Sequence, residues 1–243
     1  MSSQKFIFLI VLVALFGGSS SRVAPDFITP CPGLQSDCLK KNIQETIPHF
    51  VKGIPSLGIS PADPLQTKRI ELDLPGGLKV EFTDGTITGF RNCIVDDVAY
   101  VGLEAKLDMH CNLTLKGKYK ARGQVLIVPI NGDGDAKIRT PNISLKIKIF
   151  FEDKTHDDGL IYREIKDYKA TYVYGDRVTF LYTNLFKGNP ELSNTVLAFL
   201  NENWKQIVDE FGKPITETII RHVFKPIKKF FSSIPRDELI VSL

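Results

Sequence analysis

The sequence is poor in residues grouped for catalysis. It has no Gly-x-Ser-x-Gly elbow, no His-Glu-x-x-His and no glycine-rich phosphate loop. The common nucleophilic, zinc-hydrolytic and nucleotide-binding signatures are therefore missing. The four histidines, His49, His110, His156 and His222, are scattered. His156-Asp157-Asp158 sets a base beside carboxylates, but the Gly159 that follows favours a solvated loop. Asn131 to Asp135 is acidic like a calcium loop, yet lacks the Glu that closes one at the twelfth position. It reads as a hairpin turn. The expectation is a protein that is not an enzyme, with no metal and no cofactor.

Long runs of one charge are also missing. Lys and Arg are spread along the chain and the net charge is only +3, so nucleic acid is not an expected partner. One apolar run stands out, Phe6 to Phe16. It is roughly half of the about 20 residues that a membrane-spanning helix needs. Lys5 precedes it, and Gly17 to Ser21 are small. A basic start, a short apolar core and small residues form the pattern of a secretory signal peptide. Residues 1–21 are assigned to it, with cleavage near Ser20 to Arg22, which predicts a secreted, extracellular chain. Residues 22–243 then form a single domain of roughly 220 residues, expected to be soluble.

Cysteine is scarce, with four in the chain, but the number suits an oxidising compartment. Cys31 and Cys38 flank Pro32 and Gly33, which turn the chain, and Cys93 and Cys111 come later. Four cysteines allow three pairings. Cys31–Cys38 and Cys93–Cys111 are favoured because each joins locally plausible partners. Zinc is disfavoured: there is no Cys-x-x-Cys, and His110 points to the opposite strand face from Cys111. Two glycosylation sequons begin at Asn112 and Asn142.

The periodicities that are present divide the chain. Leu39, Ile43, Ile47 and Phe50 mark a helix over about Cys38 to Lys52, with Asp37 as N-cap and a kink at Pro48. A Gly- and Pro-rich loop follows to Pro64. Strands are expected over Lys68–Leu74, Leu78–Phe82 and Thr86–Tyr100. Ala105 to Tyr119 then alternates apolar and polar residues throughout, a long strand with one wet face. Gln124–Ile130, Ile143–Phe151, Leu160–Tyr174 and Arg177–Thr183 continue the β-structure. After Asn189 and Pro190, a cap and a first helical residue, apolar residues recur every three or four positions for about forty residues. This predicts about 60 Å of helix, bent or broken at Gly212, Pro214 and Pro226. Its end is basic and amphipathic, with Arg221, Lys225, Lys228 and Lys229 beside Phe224, Phe230 and Phe231. That leaves membrane-surface contact open. The fold class is α+β: a short N-terminal helix, then a strongly curved antiparallel sheet wrapped lengthwise around a long bent C-terminal helix.

Several segments, in order, carry a resemblance to a family. They are Cys31-Pro32-Gly33 with Cys38, then Gly58-Ile59 with Asp63-Pro64-Leu65 and Ile70. Gly117-Lys118-Tyr119 and Val128 through Gly134 follow. Leu185 through Asn189, Phe199 through Trp204, and Ile234-Pro235-Arg236-Asp237-Glu238-Leu239 complete the set. The chain resembles the insect takeout and juvenile-hormone-binding proteins over essentially all of residues 22–243. The resemblance implies a tubular lipid-binding fold with an internal apolar tunnel. It implies a secreted protein that binds juvenile hormone, another terpenoid or a lipid-like molecule, with links in some members to circadian output, feeding or chemosensation. The early disulfide matches the family's N-terminal one. Cys93 and Cys111 do not sit where the hormone carriers place their second bridge, which leans towards the takeout branch.

The expected partner is thus a hydrophobic small molecule. Candidate cavity residues are Phe50, Leu126, Val128, Phe180, Tyr182, Phe199, Trp204 and Phe211. Tyr182 and Trp204 are the expected polar handles, and the first helix is placed as a gate near the tunnel mouth. The rival reading is a secreted membrane- or partner-docking signalling protein with a filled core.

Overall fold

The computed structural model describes residues 22–241; the signal-peptide segment lies outside them. A short strand β1 (Cys31–Pro32) leads into helix α1 (Ser36–Phe50). Then come β2 (Leu65–Leu74), β3 (Leu78–Thr88), β4 (Ile94–Val101), β5 (Glu104–Val125), β6 (Val128–Thr155), β7 (Ile161–Tyr174) and β8 (Thr179–Tyr182). The chain ends in α2 (Pro190–Glu202), α3 (Trp204–Ser233), α4 (Arg236–Leu239) and β9 (Ile240–Val241), which pairs with β1 in parallel.

The seven-stranded antiparallel sheet runs in the order β2-β3-β5-β6-β7, with β4 also on β5 and β8 also on β6. Strands β5 and β6 have 22 and 28 residues, several times the usual length. Helix α3, 30 residues and about 45 Å long at 1.5 Å per residue, matches that reach and lies inside the curve. The architecture is therefore the expected α+β one, with a long C-terminal helix, a large curved antiparallel sheet and a short N-terminal helix.

The structure corrects several boundaries. Asn131-Gly132-Asp133-Gly134 is not a turn. It runs inside β6, paired to Tyr119–Arg122 of β5. Its glycines serve close approach. A Cβ on Gly132 would stand 2.6 Å from the Tyr119 hydroxyl, and one on Gly134 would stand 2.5 Å from the Thr183 carbonyl oxygen. The hairpin instead turns at Leu126 and Ile127, where Leu126 has φ 55°. The expected strand Gln124–Ile130 is split across that turn. Thr86–Tyr100 is also two strands, separated by a 3-10 turn at Phe90–Asn92.

The forty-residue helix breaks at Asn203, between α2 and α3. It does not break at Gly212, Pro214 or Pro226, all of which stay within α3. Each proline removes only one i→i−4 hydrogen bond, and packing against the sheet holds the rest of the helix. Asp37 is not the N-cap of α1. That helix starts one residue earlier, at Ser36, and Asp37 sits in its first turn, where a carboxylate suits the helix dipole. Both disulfides form as favoured, Cys31–Cys38 and Cys93–Cys111.

Candidate functional site

A cavity of about 560 Å³ lies between α3 and the sheet, with α1 over one end. Three sets of side chains make its wall. From α3 come Ile215, Ile219, Val223 and Ile227, a stripe four residues apart on one helical face. From α1 come Leu39, Ile43, Ile47 and Phe50. From the sheet come alternate residues such as Leu107, Met109, Leu113 and Leu115 of β5.

These residues point inwards, yet none is fully covered. Leu39, Ile43, Ile47 and Phe50 are half-buried, and α1 has no buried residue at all. The α3 stripe and the four β5 residues are likewise half-buried. An amphipathic helix normally buries its apolar stripe against a core. Here the stripe faces space. Packing is complete elsewhere: Ile54 and Ile59 are each 4% exposed and Ile234 0%. The vacancy is therefore local to this interior.

Polar groups on the wall are few and most are already engaged. Tyr174 and Thr216 share a hydrogen bond of 2.9 Å between their hydroxyls. Burial, helped by Asp133, pushes the Tyr119 hydroxyl up to about 12. That hydroxyl donates to the Thr183 carbonyl at 2.8 Å. The charged residues of the wall are Lys106 and Arg163. Arg163 forks onto the Asp153 carboxylate, with Nη2 3.1 Å from Oδ2, and also donates to the Tyr100 hydroxyl. Arg236 donates to the same carboxylate at 3.1 Å. The Arg163 and Arg236 bonds hold the Asp153 carboxyl below the usual carboxylate range, against the opposing effect of burial.

Among the expected cavity residues, Phe50, Phe180, Tyr182 and Phe211 line this space. Leu126, Val128, Phe199 and Trp204 do not. They pack against the core near the β5–β6 tip and the α2–α3 junction. Trp204 is the first residue of α3 and packs against the core cluster outside the cavity lining. Periodicity could have found the α3 stripe, since it shares the spacing that marked the helix. Nothing in the local sequence sets Arg163 apart from other strand cations.

The side chains of the His156 segment are engaged within its own hairpin. His156 stacks on Tyr162 and bonds to Glu164 at 2.9 Å. Asp158 accepts from the Tyr162 hydroxyl at 2.7 Å. Among the described residues, no three His, Cys, Asp or Glu side chains are grouped to hold a metal ion.

The fold and sequence have close counterparts. The crystal structure of Takeout 1 from Epiphyas postvittana superimposes with a TM-score of 0.83 at 35% identity, covering 88% of this chain and 99% of that one. The circadian clock-controlled protein daywake is 26% identical in Drosophila melanogaster, over 94% of this chain and 95% of that protein. The Drosophila yakuba daywake is also 26% identical, over 90% and 89%. A family model described as haemolymph juvenile hormone binding protein (JHBP) matches residues 7–241. With its half-covered apolar interior inside a takeout-like fold, the chain belongs to the haemolymph juvenile hormone binding protein family.

Proposed function

We propose that this protein is a secreted carrier or sensor of an apolar small molecule, a juvenile-hormone-like terpenoid or another lipid, held in the internal cavity. One observation carries the reading: the apolar stripes of α1 and α3 line one cavity and are only half-covered there. A volume of about 560 Å³ falls within the range of small-molecule sites. A ligand burying about 400 Å² of apolar surface gains roughly 10 kcal/mol before ordering costs. Membership of a haemolymph juvenile hormone binding family supports the same reading. The signal-peptide pattern, the two disulfides and the sequons at Asn112 and Asn142 support export. The clock-controlled relatives support a link to circadian behaviour.

A docking protein with a filled core is less well supported. Two of the cations that suggested it act inside the fold: Lys229 donates to the Gly58 carbonyl at 2.9 Å, and Lys228 sits over the Tyr168 ring.

Expression in insect cells, solvent extraction and mass spectrometry test the carrier reading. A stoichiometric lipid should be released, and delipidated protein should take up a fluorescent terpenoid or fatty probe saturably. No extractable lipid together with no saturable uptake would overturn it.

A further inference from the structure

Ile127 is 87% exposed, more than any other large apolar side chain among the described residues. It stands at the turn of the β5–β6 hairpin, where Val125 pairs with Val128. The turn sequence Val125-Leu126-Ile127-Val128 has no polar side chain. Short hairpin turns favour Gly, Asn and Asp. Leu126 instead takes φ 55°, a region that bulky residues rarely enter. An apolar tip of this kind gains nothing from water, and strain kept in place points to function.

The tip also projects. The β2–β3 turn lies beside it, since a Cβ on Gly76 would stand 3.5 Å from the Gln124 carbonyl oxygen. Ile127 is three residues beyond Gln124, so it reaches up to about 10 Å further at about 3.3 Å per residue. Leu74 and Leu78, which flank the β2–β3 turn, and Val125 line the cavity. The cavity therefore extends to this end of the sheet.

Cations back the tip. Lys116, Lys118, Lys120 and Arg122 alternate along β5 with Gly117, Tyr119 and Ala121. Tyr119 and Ala121 are buried on the cavity side, so the four cations share the outer face, and all are exposed. Across the ladders like meets like: Lys79 pairs with Arg122 and Lys137 with Lys116, an arrangement that costs stability. Lys137 titrates below its ordinary value, through desolvation first and then through the charges of Arg139 and Lys116. The facing carboxylates are Asp73 opposite Lys79, Glu81 and Asp133 opposite Lys120, and Asp135 opposite Lys118. Among the described residues no ion pair forms at these cations, while Arg69 beside them holds both Glu71 and Glu81.

We propose that this end of the protein docks on a lipid bilayer bearing anionic headgroups. The Leu126–Ile127 tip enters the interface, Lys79 and Arg122 meet the headgroups, and the rest of the β5 row draws the protein in. A tip buried about 5–10 Å leaves Arg122, five residues and about 16 Å of strand away, on the order of one Debye length from the surface. A second copy of the chain fits less well: a four-residue turn offers far less than the about 800 Å² per partner of a stable interface. A soluble polyanion would engage the cations but leave Ile127 unexplained. The docking does not depend on the carrier reading. Together with it, docking sets the cavity end against the membrane, where an apolar ligand exchanges without crossing water.

Cosedimentation of protein expressed in insect cells with phosphatidylcholine vesicles, with and without phosphatidylserine, tests this. Wild-type protein should bind the anionic vesicles, less at high salt, and the neutral ones at least about tenfold more weakly. Ile127→Ser should lose about tenfold, and Lys79→Gln with Arg122→Gln about tenfold or more. Val101, 78% exposed at the opposite end of β5, supplies the control: Val101→Ser should leave binding unchanged. No binding by wild-type protein overturns the proposal. So does loss with the cations but not with Ile127→Ser, which is adsorption of a polyanion, or equal loss with Val101→Ser. Self-association without vesicles that Ile127→Ser abolishes overturns it too. Should a variant not fold, hydrogen exchange of wild-type protein decides. Exchange at residues 124–128 should slow on anionic vesicles, and an unchanged rate sinks the proposal.

Discussion

The carboxylate of Asp63 grips Arg91 twice, accepting from its backbone N–H at 2.8 Å and from its guanidinium Nε at 3.2 Å. The same carboxylate accepts from the Gly89 backbone at 3.3 Å, and the Arg91 guanidinium also reaches the Asp63 carbonyl. Asp63 is 5% exposed. It ties the loop after α1 to the 3-10 turn joining β3 and β4. Removing it leaves buried amides without acceptors. Asp63→Ala should cost about 2–4 kcal/mol in urea unfolding, and Asp63→Asn less, since one amide oxygen still accepts.

Acid should loosen the α1 end of the cavity. Asp153 titrates below its ordinary value of 3.8, chiefly because Arg163 bonds to it. A folded value lowered in this way adds stability at pH above the ordinary value, and that stability is lost as pH falls through the lowered one. Asp153→Asn should flatten the fall in thermal stability below about pH 4. An unchanged acid limb would show that Asp153 contributes nothing to it.

Filling the interior should not resemble overpacking a core. Leu115 of β5 is half-buried and faces the cavity, whereas Ile87 opposite it is 1% exposed. Leu115→Trp should abolish probe uptake with little change in melting temperature. Ile87→Trp should cost at least about 1–3 kcal/mol, as overpacking does. Similar destabilisation by both would mean that the space at Leu115 is not available.

The second disulfide joins residues 18 apart in sequence. By loop-closure entropy such a link contributes about 3 kcal/mol. The double variant Cys93→Ser, Cys111→Ser should lose roughly that or more, since two hydroxyls then replace sulfurs that are 2% exposed. Denaturant titration of both proteins measures it.

Gly134→Ala is expected to destabilise by about 1–3 kcal/mol, because the new methyl meets the Thr183 backbone, which has little room to yield. Asp133→Ala, one residue away and exposed, should stay within about 0.5 kcal/mol. Thermal melts of the pair decide whether the glycine's role is close approach.

What could be read from the residues was whatever repeats. The alternation from Ala105 to Tyr119 and the three-to-four spacing after Pro190 located the long strand and the long helix, because burial on one face imposes those periods. Single-residue events were hidden. Leu126 and Ile127 turn the chain without Gly or Asn, so an apolar pair looked like strand. Gly132 and Gly134 looked like a turn because a glycine that admits a neighbouring ring has the same letter as one that frees the backbone. The break at Asn203 has no proline to announce it, while Pro214 and Pro226 announce breaks that tertiary packing overrides. Periodicity shows which side chains face inwards. It does not show whether anything meets them there, and so Phe199 and Trp204 resembled lining residues as closely as Phe211 did.

The β5–β6 hairpin also bears on how the chain folds. Its pairs run from Val125 with Val128 at the tip to Glu104 with Phe150 near the base. Only the first pair needs a loop closed from open chain, and a short loop closes at small entropic cost. Each later pair forms beside one already made. The longest strands of the sheet therefore assemble as a zipper. Contacts that look distant in sequence act as local ones in time, and folding should be faster than a sheet of this span would otherwise allow.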